Sequence, residues 1–280
     1  MARVGLIVLV AALAVAGAAC RSEPDARDRV AQAQAATLEA GSASFSITQS
    51  FTGKATGEQR IEGRGTLDFQ ARRGQLTVNA PTAGASAGAG QFQTVFDGTA
   101  YYLRLPLIEL PTRWVRMDLG DDGPVSLDQL RELSGDPSRN LAMLQGAGDD
   151  VDVVGQEQVG SAMTTRYRLT VDLQRALVAA PAEDQAFLAQ QLQALGVAQL
   201  PTEVWLDDQG RLRRQTYLAD LTRGGADLDA AADRDTPLPD AMVTTVEYDD
   251  FGAPVEITLP APEEVTDVAD LIDGALVDPS

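Results

Sequence analysis

The sequence predicts an α+β fold: one large, curved antiparallel β-sheet with helices laid over one face. Three observations point there. Segments in which apolar and polar residues alternate recur between positions 43 and 119 and again between 151 and 259, and a period of two marks strands with one wet face, the habit of antiparallel sheets. Turn residues separate neighbouring segments by a few positions, as at Asp97-Gly98 and Asp208-Gln209-Gly210, which is hairpin spacing. Runs of helical period stand between the two groups of strands without a linker, so one sheet with helices packed on it is the economical arrangement, with two stacked α+β halves as the alternative.

The elements follow in order. Pro24, with Asp25 and Asp28 near it, opens a stretch of helix formers that runs to Glu39, and Ser22 or Glu23 is placed to cap it. From Ala43 the period becomes two: Phe45, Ile47 and Phe51 alternate with serine and threonine, then Ile61, Gly63, Gly65, Leu67 and Phe69 alternate with charged and polar residues. Leu76, Val78 and Ala80 continue the pattern after an expected turn at Arg73-Gly74. Residues 83–90 form a Gly/Ala/Ser loop, followed by a hairpin from Phe92 to Leu105 and a strand from Arg113 to Leu119 with Val115 and Met117 on one face. Ser126 and Gln129 have capping-box form ahead of Leu127, Leu130 and Leu133, and Asp136-Pro137 starts a second short helix through Leu141 and Leu144 to Gly146.

Strands resume at Val151 to Val159 and at Ala162 to Leu173, the latter with Met163, Tyr167, Leu169, Val171 and Leu173 facing one way. A helix follows over Ala182 to Leu195, stopped by Gly196. Further strands are expected at Glu203 to Asp207, Leu212 to Leu221, Ala241 to Tyr248 and Val255 to Leu259, with an acidic loop over Gly224 to Pro239 and a closing helix over Pro262 to Ile272.

Ahead of this body lies an uncharged apolar run from Val4 to Ala19, behind Arg3 and directly before Cys20. That is the layout of a secretory signal. Gly17, Ala18 and Ala19 before the only cysteine resemble a lipobox, in which the cysteine is lipidated and becomes the new amino terminus; Gly17 departs from the usual Leu or Val. A plain secretory signal or a short membrane span are the other readings. The expected organisation is therefore a signal at 1–19, a lipid-anchored tether at 20–23 and a single domain at 24–280, held on the extracytoplasmic face of the cell membrane.

Charge makes the anchor matter. The chain carries 41 acidic and 22 basic residues, a formal net charge of −19, so anionic lipid head groups repel the body, whereas the two chains of a diacylglyceryl group give stable anchoring. The same acidity excludes a nucleic-acid partner, which requires a basic face. The sequence has no histidine and one cysteine, which removes the commonest general base, the commonest transition-metal ligand and any internal disulfide. No cofactor, metal or catalytic site is expected, and the chain is read as a non-enzyme.

The chain resembles the LppX/LprAFG lipoproteins of mycobacteria and relatives, which share an open half-barrel with the lipoprotein carrier LolA. The residues that carry the likeness are Val154 to Gly160 leading into Thr164 to Tyr167 and Val171 to Leu173, Pro201 to Asp208 leading into Gly210 to Arg214, and Asp97 to Tyr102. The resemblance implies a half-barrel whose helices cover the concave face, and a lipid or lipoglycan ligand in a hydrophobic cavity between sheet and helices. A filled half-barrel serving as an envelope interaction or sensor module is the alternative, its protein partner unknown.

Candidate lining residues are Phe45, Ile47, Leu67, Phe69, Leu76, Val78, Tyr101, Leu103, Val115, Met117, Tyr167, Leu169 and Val171, with Val204 and Leu206. Alternation alone leaves open whether they line a cavity or fill a core. Gly84-Ala85-Ser86-Ala87-Gly88 matches the G-x-S-x-G pattern, but that motif needs a strand-to-helix turn and a histidine. Asp227, Asp229, Asp233 and Asp235 lack the spacing of a calcium loop and read as a solvated acidic segment.

Overall fold

The computed structural model describes residues 25–54, 57–80, 90–104, 112–118, 137–223 and 239–271. Helix α1 (Ala26–Leu38) precedes strands β1 (Ser42–Gly53), β2 (Gly57–Asp68), β3 (Arg73–Ala80), β4 (Gly90–Asp97), β5 (Ala100–Arg104) and β6 (Trp114–Asp118). A 3₁₀ segment (Pro137–Gly146) leads to β7 (Ala147–Val159) and β8 (Ala162–Asp172), then α2 (Leu173–Ala179) and α3 (Ala182–Leu195). The chain continues through β9 (Gln199–Leu206), β10 (Leu212–Asp220), β11 (Ala241–Asp249) and β12 (Val265–Asp267). All twelve strands share one sheet in the order β12-β6-β5-β4-β3-β2-β1-β11-β10-β9-β8-β7. The two ends of that order do not pair, so the curved sheet stays open, as the expected α+β half-barrel requires.

Two antiparallel meanders make up the sheet, β1 to β6 and β7 to β11, and the β1–β11 ladder joins them from Ser44↔Asp249 to Thr52↔Ala241. Helices cover the inner face over the second meander. Val30, Ala33 and Thr37 of α1 are fully buried, and small residues there let the helix approach the strands closely. Thr37 fixes the contact: its hydroxyl donates to the Ala33 carbonyl at 2.6 Å and accepts from the Leu212 amide at 2.9 Å. The 3₁₀ segment buries Leu141, Met143 and Leu144 and is tied to α1 by the Gln145 amide, which donates to the Ala31 carbonyl and the Gln34 side chain.

Several expectations are corrected. The turn after β2 lies at 69–72, with Arg72 at φ +53°, and Arg73-Gly74 already belong to β3, paired with Asp97 and Phe96. Leu173 is not a strand residue: Asp172 accepts from the Gln174 and Arg175 amides and so starts α2 there, a helix the sequence pattern did not announce. The segment through Leu141 and Leu144 is 3₁₀ rather than α. Val255 to Leu259 alternates in exposure but is not a strand. It lies between Pro254 and Pro260, which have no amide to donate, and it must cross from the centre of the sheet to its edge. Seven strand spacings of about 4.8 Å put β12 roughly 34 Å from β11 along the sheet, so extended connecting chain is what reaches.

The expected closing helix is replaced by a 3₁₀ turn at Pro262–Glu264, the short strand β12 and a helical turn at 268–271. Strand β12 adds in parallel to the edge strand β6, from Val265↔Trp114 to Asp267↔Arg116. An Arg116–Asp267 ion pair at 2.9 Å and a Thr112–Thr266 hydroxyl contact at 2.7 Å hold it there. Met163 is also misplaced by simple alternation: it is 60% exposed, whereas Thr164 and Val159 are buried. The β7–β8 hairpin bulges between Val153 and Gly155, and its tip bends onto the outer face until Gly160 meets Asp249 and Glu157 meets Arg214. The side turned toward the sheet is therefore reversed at the tip.

Asp207 organises the β9–β10 turn. Its carboxylate accepts from the Gln209 and Arg211 amides and from the Arg211 and Arg213 guanidiniums, and both guanidiniums stack on Phe251 at 4.7–4.8 Å. Burial pushes its pKa up, but the Arg211 and Arg213 hydrogen bonds outweigh this and leave it below the usual carboxylate value. A lowered folded-state pKa contributes stability that is complete above the unfolded value of about 3.9 and is lost as pH falls through the folded value. Asp207→Asn should therefore destabilise at pH 7, near the lower end of about 3–5 kcal/mol because the arginines retain some exposure. Urea unfolding at pH 7 and in strong acid checks this: the difference from the parent should shrink only below pH 4.

Candidate functional site: the inner face of the half-barrel

The register of the ladders places residues in rows across the inner face. One row runs Met117, Tyr101, Phe96, Gly74, Leu67, Ala43 and the next Val115, Leu103, Thr94, Leu76, Gly65, Phe45, Tyr248. A third runs Phe92, Val78, Gly63, Ile47, Val246, Gln215, Val204, Tyr167, and a fourth Ile61, Gln49, Thr244, Tyr217, Thr202, Leu169. From β8 round to β6 the inner positions of the described strands carry no charged side chain. The ionic side chains stand on the other face, in pairs such as Arg73–Asp97, Arg166–Glu203 and Arg214–Glu247. Two guanidiniums there, from Arg166 and Arg214, flank the Trp205 ring at 5.0 and 5.2 Å. Burial raises the Glu203 pKa, and hydrogen bonds from Arg166 and Arg168 more than reverse this, leaving it below the usual carboxylate value.

Part of the inner face is filled. Phe45, Leu67, Leu76, Val78, Tyr101, Leu103, Val115, Met117, Tyr167, Leu169 and Val171 all lie on it and are buried, as are Val204 and Leu206. Close packing across the first meander depends on missing side chains. A Cβ on Gly74 would lie 2.1 Å from the Phe96 ring, and one on Gly65 would lie 2.0 Å from the Gln75 carbonyl oxygen and 2.7 Å from the Phe45 ring. The rings of Phe96 and Tyr101 stack with centroids 5.6 Å apart over this floor. Of the remaining candidates, Ile47 lies on the inner face half-buried, and Phe69 sits off the strands in the turn after β2, half-buried, because the strand ends at Asp68.

Beyond this packed zone the third and fourth rows carry half-buried Phe92, Ile47 and Ile61, and half-buried Phe51 lies on the next row, between Gln59 and Met242. They form an apolar track that ends against buried polar groups. Gln215 is 1% exposed and Thr244 fully buried, diagonal neighbours on β10 and β11. Among the described residues, neither amide atom of Gln215 has a hydrogen-bond partner, and the Thr244 hydroxyl has none. An unmet buried polar group costs about 1–3 kcal/mol. Gln49, opposite Thr244, reaches only the Met242 sulfur at 3.9 Å, and Thr202 is satisfied by the Leu200 carbonyl at 2.9 Å. Alternation within β10 and β11 could have marked Gln215 and Thr244 as inward polar residues; their lack of partners is a tertiary fact.

A cavity of about 190 Å³ lies where α1 and the 3₁₀ segment meet the β2–β3 turn, lined by Leu38, Leu67, Phe69, Phe96, Gln34 and Arg72 among others. It is smaller than the roughly 300–1,000 Å³ of a typical ligand pocket. A broader groove of about 540 Å³ opens on the outer face beside Thr170, Pro201 and Leu218. Among the described residues no group of three or more acidic, cysteine or histidine side chains is arranged to hold a metal, and no helix is long and apolar enough to cross a membrane. Cys20, Ser86, Leu130 and the aspartates at 227, 229, 233 and 235 lie outside the described residues.

No protein-family model matches the chain. Among curated proteins, it is 27% identical over 157 residues to an uncharacterized 31.2 kDa protein encoded between rplA and rplJ in Streptomyces griseus; the match covers 55% of this chain and 45% of that protein. The chain thus spans about half the length of that relative. Among solved structures it is similar to LprF from Mycobacterium bovis, at 16% identity and a TM-score of 0.46, over 85% of this chain and 98% of that one. It is also similar to lipoprotein LppX from Mycobacterium tuberculosis, at 13% identity and a TM-score of 0.47, over 85% of this chain and all of that one.

Substitution at the packed floor has a defined outcome. Gly74→Ala should destabilise by about 1–3 kcal/mol, the usual cost of overpacking, and Phe96→Leu in the same chain should recover part of it. Gly65→Ala should not be rescued by Phe45→Leu, since the nearest obstacle is backbone. Urea midpoints of the four variants separate the cases.

Proposed function

We propose that this protein is a non-enzymatic lipoprotein, anchored through Cys20 on the extracytoplasmic face of the membrane, that holds an acyl-chain ligand against the inner face of its half-barrel. The observation that carries this reading is the charge-free inner face, with its half-buried track of Ile47, Phe51, Ile61 and Phe92. A face whose only task is to fill a core has no need to leave four large apolar residues half accessible, and ligand sites are mostly apolar with few polar groups. The acidic surface supplies no attraction for anionic membranes, so a covalent anchor is what would keep such a carrier at its source of lipid.

A filled scaffold that binds another protein is the second reading, and one observation favours it. Val153, Val154 and Met163 are 41–61% exposed together on the β7–β8 hairpin, at the free edge of the sheet. Two measurements decide. Mass spectrometry of lipids extracted with the purified full chain should find acyl lipid, and Ile61→Glu, which puts a charge on the track, should lower its occupancy several-fold. A parent chain free of acyl lipid, with an unchanged Ile61→Glu variant, would transfer support to the scaffold. Cys20→Ala should release the chain from the membrane fraction or block maturation of the precursor; a variant that matures and stays membrane-bound in high salt overturns the anchor.

A further inference from the structure

We infer that Gln215 and Thr244 form a polar anchoring point for the ligand, and that the group they take is uncharged: the ester or amide carbonyl and adjoining hydroxyl of a neutral acyl lipid. The inference rests on the carrier reading above and deepens it. Gln215 stands between Val246 and Val204, with Tyr167 beyond, on the row that begins at Phe92 and passes through Ile47. Thr244 stands between Gln49 and Tyr217 on the row that begins at Ile61. One row thus carries half-buried Phe92 and Ile47 on the way to Gln215, and the other carries half-buried Ile61 and Gln49 on the way to Thr244.

The chemistry on offer is specific. The Gln215 amide presents one donor group and one acceptor, both free, and the Thr244 hydroxyl can serve as either. A carbonyl oxygen accepts from Gln215 Nε2 while a neighbouring hydroxyl donates to Gln215 Oε1 and accepts from the Thr244 hydroxyl, so one acyl-ester group with a hydroxyl meets all three atoms. A phosphate or carboxylate does not fit as well. It would bring charge to a face on which no described strand residue from β8 to β6 is cationic, and a desolvated, unpaired charge is costly. The chain's overall charge of −19 opposes an anion further.

The full chain in nonionic detergent, loaded with either dioleoylglycerol or dioleoyl phosphatidate, tests this by native mass spectrometry. The two probes share their acyl chains and differ in the head group. The parent should retain dioleoylglycerol at least tenfold better than phosphatidate. Gln215→Leu with Thr244→Val, close in shape and free of unmet polar atoms, should lose at least tenfold in dioleoylglycerol retention while its melting temperature holds or rises. That combination is one a merely structural role would not produce. Thr244→Val alone carries the same comparison if the double variant does not fold. Retention of dioleoylglycerol unchanged in the variant, or phosphatidate held as well as dioleoylglycerol by the parent, overturns the polar anchor and leaves the carrier standing. A parent that retains neither lipid overturns the carrier and the anchor together.

Discussion

The β1–β11 ladder is the contact on which the rest of this structure depends. Each meander is local, built from neighbours joined by short turns, and neither alone makes the twelve-stranded surface. The ladder that joins them pairs residues about two hundred positions apart, from Ser44↔Asp249 to Thr52↔Ala241. Closing so long a loop is entropically unfavourable, and its contacts come late in reward. It is reinforced at both ends. Asp240 donates its backbone amide to the Thr52 carbonyl and accepts from the Lys54 amide, while the Ser42 hydroxyl donates to the Ala253 carbonyl at the other end. Because Phe45, Ile47, Gln49 and Phe51 face Tyr248, Val246, Thr244 and Met242 across it, the ladder also sets which inner-face rows run unbroken from one meander into the other.

Once those rows are continuous, the two faces separate by chemistry. Ion pairs of the strands, such as Arg60–Glu62 and Arg73–Asp97, stand on the outer face, where water screens them and each is worth little, and the buried Asp207 cluster sits at the β9–β10 turn. The inner face gains from apolar burial and pays for none of the desolvation a charge would bring. Its two halves solve their packing differently. Over the second meander, α1, the 3₁₀ segment, α2 and α3 supply the cover, pinned by Thr37 and Gln145. Over the described strands of the first, aromatic rings lie across glycines of neighbouring strands, so that Phe45 and Phe96 occupy volume that side chains at Gly65 and Gly74 would take. Where neither device reaches, at Ile47, Phe51, Ile61 and Phe92, apolar surface stays half accessible.

The sequence by itself determined most of the architecture. Alternation depends on which side of a strand a residue faces, a local property, so the strands from Phe45 to Met117 and from Tyr167 to Tyr248 are legible, and so are the inward sides of Leu67, Val78, Leu103 and Leu169. Composition likewise removed histidine chemistry and disulfides without reference to any fold. Tertiary structure decided what depends on distant partners. Whether Val255 to Leu259 pairs is settled by where β12 docks, and Met163 faces water because a bulge bends the hairpin tip. The start of α2 turns on the Asp172 cap, legible in hindsight. Most of all, Gln215 and Thr244 look like any strand residues in sequence. Only the folded chain shows that they are buried with no partner among the described residues, because hydrogen-bond satisfaction is a property of three-dimensional neighbours and leaves no mark on the order of residues along the chain.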